Sequence, residues 1–225
     1  MKLLFDGRHF LGMCGDLIRR LADRSITKEE IRNQAERDPS LISDLLSGTD
    51  SEKANVRYGC AKILMDLSEH HPEKLYTHID RFIAMLDSRY RILIWNAMAI
   101  IANLSRVDVD NKIDAIFPRY FSLLNDEYMV TVANLVGGSS KIALAKPSLI
   151  PRITDELLKA EYIKITPHLT EECKRVIAEK AIETFDLFFE KVEQKGKVIS
   201  FVQRQLDSPR RSLRIEAENF LKKWS

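Results

Sequence analysis

Three groups of residues in this chain have types and spacings that could do chemistry. His70, His71 and His78 cluster near a helix junction, and three imidazoles are raw material for a metal site. Adjacent residues on a helix point to different faces, however, and Pro72 separates the first two from His78, so they read as surface or capping histidines. Gly137-Gly138-Ser139-Ser140-Lys141 invites comparison with a phosphate loop. It lacks the spaced Gly-Lys-Ser/Thr element and no strand precedes it, so the small residues are expected to mark a close helix contact or a kink. Trp95 beside Asn96, with Asp and Arg on neighbouring helices, offers the aromatic face, carboxylate and cation that reading a nucleobase requires. No Ser-His-Asp or Cys-His arrangement can be assembled, so no catalytic residue is assigned and neither a cofactor nor a metal is expected.

Composition narrows the classes. The 225 residues are 45% apolar, enough for a real core, and 8 Gly with 7 Pro leave no low-complexity run at which to divide the chain. Thirty-five Lys and Arg against 33 Asp and Glu give +2, far from the strongly basic balance of a protein that lives on a polyanion. Residues 190 to 225 carry nine basic and five acidic residues, a mildly basic stretch expected to be a solvated surface. Cys14, Cys60 and Cys173 are far apart and unpaired in spacing, as reduced thiols would be. The start, MKLLF, is interrupted by Asp6, Arg8 and His9 before it reaches the length of a signal core, and no run approaches a membrane span. The expectation is a cytoplasmic protein without membrane contact.

The elements that must position these groups are helices. Over Leu75 to Ser105, Leu93, Ala97, Ile100, Ile101 and Leu104 share one helical face, and Ile94, Met98 and Ala102 widen it until little polar surface remains. Such a helix must be covered on more than one side. Ile79, Phe82, Ile83 and Leu86 make a narrower stripe ahead of it, and Asp87-Ser88 is the break between the two. Residues 10 to 24 read as a first helix, Thr27 to Glu30 as a capping box, and Asp38-Pro39 as a further helix start with Asp as cap. The pattern repeats. Asp50, Asp87, Asp126, Glu171 and Asp207 each precede a long helix, at intervals of 37, 39, 45 and 36 residues. Val56, Leu93, Val132, Ile177 and Leu213 then share one phase, followed four residues on by the mostly small Cys60, Ala97, Val136, Ala181 and Ala217.

These units resemble HEAT and armadillo repeats over roughly residues 38 to 225. Asp50 with Val56-Arg57, and Asp207 with Leu213-Arg214, are similar to the HEAT pattern in which an acid and a base line up between neighbouring units. Ala97 to Leu104 is similar to the end of an armadillo repeat, where an Asn, here Asn103, holds the backbone of an extended peptide; Ala99 stands where such repeats commonly place Trp. The resemblance implies an all-α, right-handed α-α superhelix of five to six helical hairpins, a single solenoid domain over 1–225 with 1–37 as the amino-terminal cap.

In such an array the second helix of each unit lines the concave side. Its outward stripe is expected to hold Gly59, Lys62 and Asp66, then Asn96, Ala99 and Asn103, and later Lys180 and Glu183, Glu216, Asn219 and Lys223. Amides flanked by both charge signs suit hydrogen bonding to a polypeptide better than neutralising phosphates. The expected function is therefore a non-catalytic scaffold that binds a protein or peptide through Lys62, Asp66, Trp95, Asn96, Asn103, Lys180, Glu183 and Asn219. The alternative, implied by HEAT-like proteins of similar length, is a DNA glycosylase for alkylated bases, with nucleic acid as partner.

Overall fold

Helices account for about three-quarters of the computed structural model, which describes residues 17–224. Cys14 and the start of the first expected helix lie outside the described residues. The helical residues 17–22 are α1. They are followed by α2 (Lys28–Arg37), α3 (Leu41–Gly48), α4 (Ala54–His70), α5 (Pro72–Leu75), α6 (Ile79–Met85) and α7 (Arg91–Leu104). Then come α8 (Lys112–Ser122), α9 (Met129–Ala145), α10 (Ile150–Leu158), α11 (Glu171–Asp186), α12 (Lys195–Gln203) and α13 (Arg211–Trp224). Among the described residues, the sole β-type pairing is an isolated bridge between Thr166 and Leu169. The chain divides into two compact units, Met1–Ile100 and Ile101–Ser225, with the boundary inside α7.

The repeat phase has its expected meaning. Val56, Leu93, Val132, Ile177 and Leu213 are all buried, and Cys60, Ala97, Val136, Ala181 and Ala217 are fully so. Thr27 makes the expected capping box: its hydroxyl accepts from the Glu30 amide at 3.2 Å while the Glu30 carboxylate accepts from the Thr27 amide at 2.8 Å. Asp38 and Pro39 do not open a helix. The Asp38 carboxylate accepts from the Ser40 amide and hydroxyl at 3.0 and 2.6 Å, closing a turn, and α3 starts only at Leu41.

In the first unit Gly48 permits close packing of α3 on α4: a Cβ there would stand 2.4 Å from the Cys60 sulfur. Burial in turn pushes the Cys60 thiol up to about 12, so it stays protonated and inert. The acid and base of the HEAT-like pattern do not pair with each other. Arg57 donates to the Ser51 and Glu52 carbonyls at 2.7 and 3.2 Å and stacks on Tyr90 at 3.6 Å, while Asp50 pairs with Arg81 of α6. Arg214 repeats the arrangement in the second unit, donating to Ser208 six residues back at 2.6 Å. The base thus fixes the loop that precedes its own helix.

The second unit has an aromatic core in which Phe185 meets Phe201 at 6.0 Å and Phe189 meets Phe220 at 4.9 Å, edge to face. The 45-residue interval is explained by residues 159–170, an insertion between α10 and α11. It is pinned where Thr166 donates to the Glu127 carbonyl at 2.7 Å and the His168 ring stacks on Tyr128 at 4.4 Å. Ser139 and Ser140, in slots filled by Ile63 and Leu64 in α4, are buried and donate to the Leu135 and Gly137 carbonyls of their own helix.

Candidate functional site

On each second helix of a repeat, that is α4, α7, α9, α11 and α13, a line of solvent-facing residues runs with helical spacing. On α4 it runs through Tyr58, Lys62, Met65 and Glu69, and on the first-unit part of α7 through Trp95 and Ala99. On α9 it holds Asn134, Gly138 and Lys141, on α11 Glu179, Glu183 and Asp186, and on α13 Ile215, Asn219 and Lys222. The spacing i, i+4, i+7 keeps these side chains on one face. On α4, α7 and α9 the other sides carry the core, whereas α13 buries only Leu213, Ala217 and Phe220.

Some expected residues lie on or beside it and others do not. Lys62 and Asp66 form an exposed ion pair along α4 at 2.7 Å. Lys180 and Glu183 pair at 2.7 Å on α11, and Asn219 is exposed on α13. Trp95 is half-buried on the line itself. Asn96 and Asn103, expected to face outward, are buried, at 9% and 3% exposure. One residue is about 100° of helix rotation, so placing the open line at Trp95 turns Asn96 inward. Asn103 accepts from Lys141 of α9 at 2.7 Å, which makes it a link between neighbouring repeats. Gly59 is buried too, because a Cβ there would meet Leu21 at 3.1 Å.

The second unit carries the fuller surface. Thr184 of α11 donates to the Val136 carbonyl of α9 at 3.2 Å, and Asp186 of α11 accepts from Lys223 at 2.9 Å and from the Trp224 indole at 2.6 Å. These bonds hold α9, α11 and α13 side by side. Gly137 leaves room for Lys180, whose Cε would stand 2.9 Å from a Cβ at that position, so the small residues mark a close helix contact. With Glu190 just beyond the helix, four acids stand at i, i+4, i+7 and i+11 along α11. The three within the helix act on Glu216 of α13: burial raises its carboxyl above the usual range, and Glu183, Asp186 and Glu179 raise it further. Lys180 and Glu183 lie on the outward side where the spacing puts them, whereas the acidic run along α11 is a feature that the sequence reading did not single out.

The histidines are spread along helix ends. His70 lies with Nδ1 3.2 Å from the Asp66 carbonyl, and His71 lies with Nδ1 3.5 Å from Glu73. Among the described residues no group of three His, Cys, Asp or Glu side chains is arranged to hold a metal ion. No helix among them is long and apolar enough to cross a membrane.

No protein-family model matches the chain, and no curated protein matches it by sequence. Solved structures do. The designed armadillo repeat protein YIII(Dq)4CqI superposes with a TM-score of 0.59 at 18% identity, over 98% of this chain and 95% of that one. A computationally designed armadillo repeat protein for modular peptide recognition gives 0.60 at 17% identity, over 98% and 95%. The designed protein YIII(Dq.V1)4CPAF, solved in complex with the peptide (KR)4, gives 0.56 at 14% identity, over 99% and 95%. The fold is therefore all-α, an armadillo/HEAT-like helical repeat.

Proposed function

We propose that the protein is a non-catalytic, cytoplasmic scaffold that binds a polypeptide along the open face of its second helices, with α9, α11 and α13 as the principal contact. The observation that carries this reading is the solvent line on those three helices, which offers an amide at each end, Asn134 and Asn219, and carboxylates between them. Amides can bond an extended backbone in either polarity, while carboxylates select side chains. Glu179 is held by Arg210 and Ser212, but the exposed pairs Lys180–Glu183 and Lys223–Asp186 contribute little and can exchange for Lys or Arg of a bound segment. Likeness to a fold whose designed members include one made for peptide recognition and one solved with (KR)4 supports the same class of partner.

Lys180, Glu183 and Asn219 are the contacts we assign in this unit, and Lys62, Asp66 and Trp95 are their counterparts on the first. Asn103 acts through its link to Lys141 of α9, and Asn96 is buried, so neither is assigned as a contact.

A labelled peptide of alternating Lys and Arg, titrated with the full chain and followed by fluorescence anisotropy, tests the reading. Glu183→Lys together with Asn219→Ala should weaken binding about ten-fold or more while leaving the melting temperature nearly unchanged. Absence of binding by any polypeptide, with tight duplex DNA binding that falls steeply as salt rises, would replace the scaffold by the nucleic-acid reading.

A further inference from the structure

The insertion that lengthens one repeat also opens a cleft beside the first turns of α11, away from Glu179, Glu183 and Asp186. Residues 159–170 leave two adjoining cavities, of about 240 and 350 Å³, that share Glu161 and Arg204 as the partition between them. One is bounded by the first turns of α11, with Lys174 and Arg175, and the other by the start of α12, with Gly196 and Lys197. Tyr162 forms a wall of the second cavity and is 78% exposed, the posture of an aromatic side chain without a covering surface. Gly196 adds depth, since a Cβ there would meet nothing within 4 Å.

The charges of the lining are unequally occupied. Glu161 is fully engaged: Arg204 donates to both its oxygens at 2.8 and 2.7 Å, and Gln205 donates at 3.2 Å. Lys174 stands 3.9 Å from Glu171, and Lys197 stands 3.5 Å from Asp155, which lies outside the cleft. Ion pairs this long at a surface contribute little and exchange readily for a better-placed carboxylate. Arg175 bonds Glu172 at 3.1 Å, but Arg210 holds that same acid at 2.6 Å. The cleft therefore presents cations with weak prior commitments on both sides of the Glu161–Arg204 partition, with Leu158 and Tyr162 as an apolar wall on the Lys197 side.

We propose that this cleft is a second docking site, for an acidic peptide segment with an apolar anchor. The anchor seats between Tyr162 and Leu158, its carboxylates replace Glu171 and Asp155 on Lys174 and Lys197, and Arg204 stays bound to Glu161 as the fixed partition. The occupant has the opposite charge to the one proposed for the α11 face, so the two sites can be loaded independently.

The test uses the full chain and a fluorescein-labelled peptide of Asp and Glu residues flanking a single Phe, followed by anisotropy at low salt. Saturable binding below about 1 mM is expected, with about ten-fold loss for Lys174→Ala combined with Lys197→Ala, and a similar loss for Tyr162→Ala. Gly196→Glu provides a control free of packing damage, because its site is open: it should abolish binding without lowering the melting temperature. Glu183→Lys on the α11 face should leave this affinity unchanged. Failure to bind below about 1 mM, equal binding of a peptide with Lys in place of its acids, or indifference to Gly196→Glu would each overturn the proposal. So would a single-stranded oligonucleotide that binds more tightly than the peptide.

Discussion

Removing one ammonium should unfasten a whole corner of the second unit. Lys146, at the end of α9, donates to Asp108 at 2.6 Å and to Asn111 at 3.0 Å and also pairs with Asp114. The Asp108 side chain is fully buried, and its carboxylate accepts from the Lys112 and Ile113 amides at 2.9 and 3.1 Å, so it serves as the cap of α8. Lys146→Met keeps the aliphatic stem and deletes the charge. Leaving a buried charge without its partner costs about 3–5 kcal/mol, and the two amides that remain on Asp108 place this case near the lower figure, about 3 kcal/mol. For a chain of this size that is a fall of about 6–12 °C in melting temperature, readable by calorimetry or urea denaturation. In an Asp108→Asn background no buried charge is left behind, and the same change should cost less than about 1 kcal/mol. The pH course has a definite sign. Burial opposes the charge on Lys146, but its bonds to Asp108 and Asp114 outweigh that and raise its pKa above the ordinary 10.5. The contribution is therefore complete at neutral pH and lost only as pH rises through that raised value. A Lys146→Met protein within about 0.5 kcal/mol of the parent at pH 7 would show that the cluster is a surface pair of no consequence.

Glu216→Gln should stabilise the protein at pH 7, because burial and the neighbouring acids raise the carboxyl in the folded state and so penalise its ionised form. The gain should shrink as pH falls through the carboxylate range, and thermal melts in which it grows on acidification would contradict the assignment. Asn103→Ala should lower stability by about 0.5–1.5 kcal/mol, since the buried amide gives up the bond it accepts from Lys141 while that exposed ammonium turns to water; a neutral change would show that the link between the two helices carries no stability.

Much of this molecule could be read from its residues in order. A helix whose side chains are apolar all round has to be buried, so Ala97, Ile101 and Leu104 were fixed as core by periodicity alone, and the same phase located Cys60, Val136, Ala181 and Ala217. The capping box at Thr27 needs only residues three apart, and it formed as written. What depended on helices meeting other helices could not be read this way. A 3.6-residue period gives the width of the buried face, but which edge of that face a neighbour covers depends on how the helices cross. That is why Trp95 took the open line and Asn96 went inside. The partners of charged side chains were hidden for the same reason: Asp50 found Arg81, and Lys146 found Asp108, across intervals of 31 and 38 residues that only packing closes. The insertion of residues 159–170 showed in the sequence as an irregular interval. Its cleft arises only when residues 159–170, α11 and α12 are brought together, because a cavity belongs to the space between elements and no single element encodes it.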